Sequence, residues 1–301
     1  MKFKHIKIGG GEVKEITMGN DLPFVLIAGP CQLQTRDLAL KICEKLVKIT
    51  EKLHIPYVFK ASFDKANRNS IDTPRGVDID YGMKIFDEIR STFKVPVLTD
   101  VHTNEQPAIV APHVDIMQQP AFLARQTDLS IAIAKTGKVC NIKKGQFMSP
   151  SDMKNIIEKY EKSGNFNLCL TDRGASFGYG DLIADPRAII VMAETGYPVI
   201  MDTTHAVQKP AGMGSTSGGR AELAPFIARS ALASGLLGGV FAETHPEPLL
   251  KGGSDNHNMI PLMYMEELLK QWQEIDNVCK ANRSRFEDWN QEGKPIEEIE
   301  A

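Results

Sequence analysis

The chain has 301 residues, 42% of them hydrophobic, and a formal net charge of −3. That is enough for a substantial core in one large barrel or two ordinary domains, and it excludes a global positive field that would recruit nucleic acid. The five cysteines, Cys31, Cys43, Cys140, Cys169 and Cys279, are odd in number and widely spaced, as expected for reduced thiols in a cytoplasmic protein and not for a disulfide framework.

In chain order, Met1-Lys2-Phe3-Lys4 has no apolar run behind it, so neither a secretion signal nor a membrane anchor is expected. No stretch approaches the ~18 apolar residues of a membrane span. Residues 1–20 read as a β-hairpin: Lys4 to Ile8 alternates, Gly9-Gly10-Gly11 turns, and Val13 to Met18 alternates again, a unit suited to capping the bottom of a barrel. A repeating rhythm follows. Short apolar runs at Phe24–Ala28, Tyr57–Ala61, Val95–Thr99, Val114–Met117, Val139–Ile142, Leu168–Leu170, Pro198–Met201 and Gly239–Ala242 read as buried parallel strands, which are apolar on both faces.

Helical spacing of apolar residues intervenes at Leu38–Leu53, Asp152–Lys162, Asp185–Glu194, Arg220–Ser234 and Leu262–Lys280. Asp128, Ser151 and Asp185 are placed as N-caps. About eight strands alternating with about eight helices fit a closed (β/α)8 TIM barrel or an open doubly wound sheet, and the count and length favour the barrel. No linker divides residues 1–301, and the acidic tail 284–301 reads as peripheral.

Barrel enzymes work at the C-terminal ends of their strands, and here every run ends in polar groups. The ends are Gly29-Pro30-Cys31, Lys60-Ala61-Ser62, Thr99-Asp100-Val101-His102, Gln118-Gln119-Pro120, Lys143-Lys144-Gly145-Gln146, Thr171-Asp172-Arg173-Gly174, Asp202-Thr203-Thr204-His205 and Glu243-Thr244-His245-Pro246. The cations Lys60, Lys65, Arg68, Arg125, Lys143 and Arg173 fall at or just after these ends. Each alone reads as a solvated surface charge. Together they read as clamps for more than one phosphate, each carrying roughly −1.5 to −2 charge. No Walker loop is present, so nucleotide is not implied.

Cys31, His205, Glu243 and Asp255 form a second set, because the last and first strands of a closed barrel are neighbours. Thiolate, imidazole and carboxylates suit Zn²⁺, Fe²⁺, Mn²⁺ or Co²⁺. The plainer reading is a buried hydrophobic Cys31 and a hydrogen-bonded histidine, and His102, His245 and His257 are alternative ligands. The Gly-rich stretch Gly212–Arg220 reads equally as a phosphate-binding turn before a helix or as a flexible loop.

These segments, in this order, resemble the 3-deoxy-D-manno-octulosonate 8-phosphate synthases over nearly the whole chain. The matching stretches include Ile27–Cys31, Phe59–Arg68, Pro120–Asp128, Asn141–Phe147, Asp202–His205, Ser217–Gly219 and Glu243–Pro248. The resemblance implies a (β/α)8 barrel, usually a cytoplasmic homotetramer in lipopolysaccharide precursor synthesis. It implies condensation of phosphoenolpyruvate, D-arabinose 5-phosphate and water to the eight-carbon sugar acid phosphate and inorganic phosphate.

By the same resemblance Lys60, Ser62, Lys65 and Gln118 hold the carboxylate end of phosphoenolpyruvate, and Lys143 and Arg173 its phosphate. Asn67 and Arg68 bind the acceptor, whose phosphate also meets Ser217 and, across a subunit interface, Arg125. Asp100, His205 and Lys143 are the catalytic candidates. Cys31, where a metal-independent branch has Asn, and Ser254-Asp255-Asn256 imply the branch with a divalent metal ion on Cys31, His205, Glu243 and Asp255. Related aldoheptulosonate synthases carry Lys-Pro-Arg-Thr where this chain has Lys65-Ala66-Asn67-Arg68, which favours the five-carbon acceptor. Asn69, where Ser is usual, and Ile71-Asp72-Thr73-Pro74-Arg75 depart from the common pattern beside that acceptor. Rival readings are the seven-carbon aldoheptulosonate synthase, a metal-dependent aldolase and a non-catalytic sugar-phosphate-binding barrel.

Overall fold

A computed structural model describes residues 1–68, 71–177, 179–213, 216–251 and 253–283, with backbone alone at 210–213, 216–217 and 251. The acidic tail and Asn69 therefore lie outside the described residues. A hairpin opens the fold, β1 (Ile6–Gly10) against β2 (Val13–Met18). Next come β3 (Val25–Gly29), α1 (Arg36–Leu53), β4 (Tyr57–Lys60), α2 (Ile79–Phe93), β5 (Val97–Asp100), α3 (Gln106–Val110), β6 (Ile116–Gln119), α4 (Thr127–Ala134), β7 (Val139–Lys143), α5 (Met153–Lys162) and β8 (Leu168–Asp172). The short pair β9 (Ala175–Ser176) and β10 (Leu182–Ile183) precedes α6 (Arg187–Ala193) and β11 (Val199–Asp202). The chain continues through β12 (Gln208–Met213), β13 (Thr216–Gly219), α7 (Ala224–Leu232), β14 (Gly239–His245), α8 (Pro248–Lys251), β15 (Ile260–Pro261) and α9 (Met265–Ala281).

Strands β3 to β8, β11 and β14 pair in parallel, and β14 pairs with both β11 and β3, which closes the ring. The sheet is thus an eight-stranded parallel barrel wrapped by helices. The closed barrel, not the open sheet, is the observed architecture. No helix among the described residues is long and apolar enough to cross a membrane.

Strand periodicity sorts the core. Val25, Ile27, Val58, Leu98, Ile116, Val139, Cys169, Ile200 and Phe241 point inward and pack with Ile6, Ile8, Ile16 and Met18 of the hairpin. The hairpin therefore does cap the barrel bottom. The alternate residues, among them Leu26, Tyr57, Phe59, Val97, Met117 and Val240, pack outward against Ile42, Leu46, Phe86, Tyr160, Leu232 and Trp272 of the helices.

The three predicted N-caps all fall beside the cap position, not on it. Asp128 lies in the first turn of α4, after Gln126 at the cap. Ser151 sits inside a 3₁₀ turn whose capping box is Ser149 with Asp152. Asp185 accepts from Arg187 N at 3.0 Å beside the cap residue Pro186. The Gly-rich stretch is largely extended: β12 and β13 form an antiparallel hairpin, and residues 214 and 215 lie outside the description. Helix α2 was not among the periodic segments; Asp78 caps it, accepting from Asp80 N at 3.0 Å.

The hairpin plug sets an expected outcome. Ile8, fully buried, changed to Ala should lower the unfolding free energy in urea by about 2–5 kcal/mol. A loss below about 0.5 kcal/mol would mean that the plug does not share the barrel core.

Candidate active site

The inward residues form layers. On every barrel strand but β3, which ends at Gly29, the same face carries a polar residue two positions beyond the apolar inward one: Lys60 after Val58, Asp100 after Leu98, Gln118 after Ile116, Asn141 then Lys143 after Val139. Thr171 and Arg173 follow Cys169, Asp202 follows Ile200, and Glu243 follows Phe241. All are buried. They line or underlie a cavity of about 250 Å³ at the C-terminal mouth of the barrel. Its walls include Lys60, Ser62, Lys65, Asn67, Asp100, His102, Gln118, Lys143, Arg173, His205, Gln208 and Asp255.

Buried charges persist only when paired, and pairing is the rule at this mouth. Lys60 bonds Glu243, and Lys143 bonds Asp202. Both ammonium groups stand over the Phe241 ring, at 5.3 Å and 4.0 Å from its centroid, a favourable position against the ring quadrupole. Asp202 also meets His205 Nδ1 at 2.8 Å. Burial opposes its charge, but His205 and Lys143 outweigh burial and hold its carboxyl well below the usual range. Burial lowers the Lys143 ammonium despite Asp202. Burial likewise lowers the Arg173 guanidinium, whose Nη2 donates to Gln208 Oε1 at 2.7 Å. Gln208 in turn donates to Asp255 Oδ1 at 2.8 Å.

A second chain crosses the opposite wall. Ser62 Oγ donates to Asp100 Oδ1 at 2.5 Å, and His102 Nε2 meets Asp100 Oδ2 at 3.0 Å. Against the cost of burial, His102 and then Lys65 and Lys60 keep Asp100 ionised. Beside these cations lies a compact donor set: one ligand atom from each of Cys31, His205, Glu243 and Asp255, all within 4.8 Å of one another. Cys31 Sγ donates to Asp255 Oδ2 at 3.3 Å, and His205 Nε2 is 3.6 Å from both Glu243 Oε2 and Asp255 Oδ2. Gly29 makes the approach of β3 to β4 possible, since a Cβ there would fall 2.0 Å from Lys60 O. That close strand contact brings Cys31 in beside Lys60, whose Nζ donates to Cys31 O at 3.2 Å.

The sequence-predicted residues divide cleanly. Lys60, Ser62, Lys65, Asn67, Asp100, Gln118, Lys143, Arg173, His205 and Asp255 line one cavity, with Cys31 and Glu243 buried against it. Arg68 is not in the wall; its guanidinium donates to Pro74 O and, at 2.7 Å, to Gln32 Oε1. Arg125 is exposed and outside the cavity. The Ser217 side chain lies outside the described residues. The alternative ligand His102 belongs to the Asp100 chain instead, and the donor cluster found among the described residues includes neither His245 nor His257. Asp202 and Gln208 were not singled out from sequence. Asp202 stood in a noticed strand-end motif, whereas nothing in the sequence around Gln208 signals its bridge from Arg173 to Asp255.

Fold and site together define a (β/α)8-barrel protein with a lysine- and arginine-lined mouth beside a cluster of metal-type donor atoms. Comparison with known proteins narrows the class: residues 5–281 match the DAHP synthetase I family, and the chain belongs to it. It is 51% identical over 269 residues to the 2-dehydro-3-deoxyphosphooctonate aldolase of Mesorhizobium japonicum, covering 89% of this chain and 97% of that one. The proteins of that name from Granulibacter bethesdensis and Brucella ovis are 52% and 48% identical over 269 and 270 residues. Those matches cover 89% and 90% of this chain and 95% and 97% of theirs.

The lowered Asp202 carboxyl sets a pH dependence. Its folded pKa lies below the unfolded value of about 3.9, so its stabilisation is present above that pH and is lost as pH falls toward the folded value. Asp202→Asn should therefore cost about 3–5 kcal/mol at pH 7, and the difference from the parent should begin to shrink below about pH 4. Denaturant unfolding at both pH values measures it; a difference that does not change with pH rules out the carboxylate charge as its source.

Proposed function

We propose that this protein condenses phosphoenolpyruvate with D-arabinose 5-phosphate and water, giving 3-deoxy-D-manno-octulosonate 8-phosphate and inorganic phosphate. The observation that carries the reading is the meeting of Lys60, Lys65, Lys143 and Arg173 in one cavity with the Cys31–His205–Glu243–Asp255 cluster, in a chain half identical to proteins named for this sugar acid phosphate.

In this reading Lys60, Ser62, Lys65 and Gln118 hold the carboxylate end of phosphoenolpyruvate, and Lys143 with Arg173 holds its phosphate by charge-assisted hydrogen bonds. Asn67 and Arg68 take the acceptor, with Ser217 and a neighbouring copy's Arg125 at its phosphate. Holding both anions in reacting geometry lowers the entropic part of the barrier. The enol carbon C3 attacks the aldehyde, water adds at C2, and the hemiketal phosphate expels phosphate by C–O cleavage. Asp100, His205 and Lys143 are the candidates for proton movement, with Asp100 held ionised against burial by His102, Lys65 and Lys60 and so fitted to accept hydrogen bonds and orient a water.

The donor cluster fits a divalent ion. Ligands about 2.0–2.3 Å from one ion lie roughly 3–4 Å apart, the spacing seen here. Among the described residues Glu243 Oε2 is buried with no hydrogen-bond partner. Burial, then Glu243, pushes the Cys31 thiol up, so it is protonated and donates to Asp255 until a metal displaces the proton. Zn²⁺, Fe²⁺, Mn²⁺ and Co²⁺ suit this set of sulfur, nitrogen and oxygen donors. When bound, such an ion polarises an aldehyde oxygen or orients a water. Its charge also offsets the carboxylates that otherwise balance the lysines and Arg173, leaving the mouth cationic for two phosphate esters. A cytoplasmic homotetramer belongs to the same reading, in which Arg125, exposed outside its own cavity, serves that of a neighbouring copy.

The test is phosphate release from phosphoenolpyruvate plus arabinose 5-phosphate, run before and after chelation, with erythrose 4-phosphate as the competing acceptor. Turnover with the five-carbon acceptor is expected to fall on chelation and return with added divalent metal. Cys31→Ala should lower it roughly 100-fold or more and reduce bound metal by elemental analysis. Full activity in metal-stripped protein rejects the metal while sparing the condensation; no phosphate release under any condition rejects both.

A further inference from the structure

The inner wall of the barrel carries a line of neutral polar groups beneath the charged mouth. Gln118 on β6, Asn141 on β7 and Thr171 on β8 all point inward and are buried, Asn141 and Thr171 completely. Thr171 Oγ1 donates to Asn141 Oδ1 at 2.5 Å, and Asn141 Nδ2 donates to Gln118 Oε1 at 3.0 Å. The Cys169 thiol also faces Asn141 Oδ1, at 3.8 Å.

A carboxamide has one accepting end and one donating end. The Thr171 hydroxyl donates to its oxygen, and Asn141 presents its NH₂ to β6; the single Cys169 thiol proton is shared between Asn141 Oδ1 and the nearer Cys140 O at 3.7 Å. Gln118 must then receive that NH₂ on its oxygen, and its own Nε2 is left for the cavity it lines.

We propose that Thr171 and Asn141 are positioning residues that set the amide of Gln118 as a hydrogen-bond donor into the cavity, so that this wall selects a substrate oxygen that only accepts. Neither residue touches the cavity; both act through Gln118. The inference rests on the phosphoenolpyruvate reading above, where Gln118 meets the donor's carboxylate. A carboxylate accepts on every lone pair, so a Gln118 amide locked as donor suits it, and a reversed amide would set oxygen against oxygen. The lock is pre-organisation: no rotamer choice is left to be made when the substrate arrives.

Asn141→Asp tests it with little change of shape. Aspartate cannot donate to Gln118 Oε1, so Gln118 turns its Nε2 inward and its oxygen toward the cavity. KM for phosphoenolpyruvate should rise about 10-fold or more, with kcat changed less than about 3-fold and KM for the acceptor unmoved. In a Gln118→Met background, which removes the amide, Asn141→Asp should raise KM no further.

Thr171→Val should raise the same KM by a few-fold, and Thr171→Ser, which keeps the hydroxyl, should restore it; this pair decides the matter if Asn141→Asp does not fold. Equal effects of Asn141→Asp with and without the Gln118 amide, or an unchanged KM in folded Asn141→Asp and Thr171→Val, overturn the proposal while wild-type turnover leaves the condensation standing. Absence of wild-type phosphate release overturns both.

Discussion

Charge pairing at a buried rim is the constraint on which the rest of this structure depends. Lys60 with Glu243, and Lys143 with Asp202, are removed from water at the inner wall of the barrel. Either partner alone would pay a desolvation cost of several kcal/mol. Neither pair is local in the chain: Lys60 on β4 meets Glu243 on β14 only because ring closure sets β14 beside β3, and Lys143 on β7 reaches Asp202 on β11 across the intervening β8. The closed sheet and the charged mouth are therefore mutually dependent. Phe241 links them, closing the apolar interior below while its ring face meets both ammonium groups above.

The same layering separates stability from chemistry. Below Phe241 the interior is a packed core finished by the hairpin β1–β2. Above it, polar side chains are held by one another: Asp202 by Lys143 and His205, Asp100 by Ser62 and His102, Asp255 by Gln208 and Cys31. Such networks fix side-chain orientation before any ligand arrives. The outward-facing pair Lys144 and Asp172, 3.2 Å apart, does comparable work in the loops: Lys144 Nζ also reaches the carbonyls of Gly145, Met148 and Gly174, tying together the segments that follow β7 and β8. The first of those segments begins directly after Lys143 and the second carries Arg173, both of which line the cavity.

Much of this was legible in the sequence because two periodicities are written plainly there. Continuous apolar runs marked all eight barrel strands, and polar residues at each run's end marked one rim. Cys31, His205, Glu243 and Asp255 were grouped from the adjacency of first and last strands, and they converge. The weaker signals failed where local chemistry had close competitors. Asp128 and Ser151 are cap-type residues one or two positions from where the helix begins, and Gly-rich Gly212–Arg220 runs largely as strand because backbone pairing between β12 and β13 needs no apolar pattern. The hydrogen bonds of Arg68 to Gln32 and Pro74, by contrast, carry no signal in the sequence, since they depend on how the loop after β4 folds.

Sequence by itself determined which side chains reach the mouth, since inward and outward positions along a strand follow a period of two whatever the rest of the chain does. It determined the class of chemistry as well, because lysines, arginine, thiol and carboxylates define what can be bound. The tertiary structure alone decided who pairs with whom: that Lys143 meets Asp202 and not Glu243, that Gln208 joins Arg173 to Asp255, and that Thr171 orients Gln118 through Asn141. These choices depend on strand register and on distances of a few ångströms between residues far apart in the chain, and hydrogen bonds discriminate at that scale while hydrophobic patterning does not.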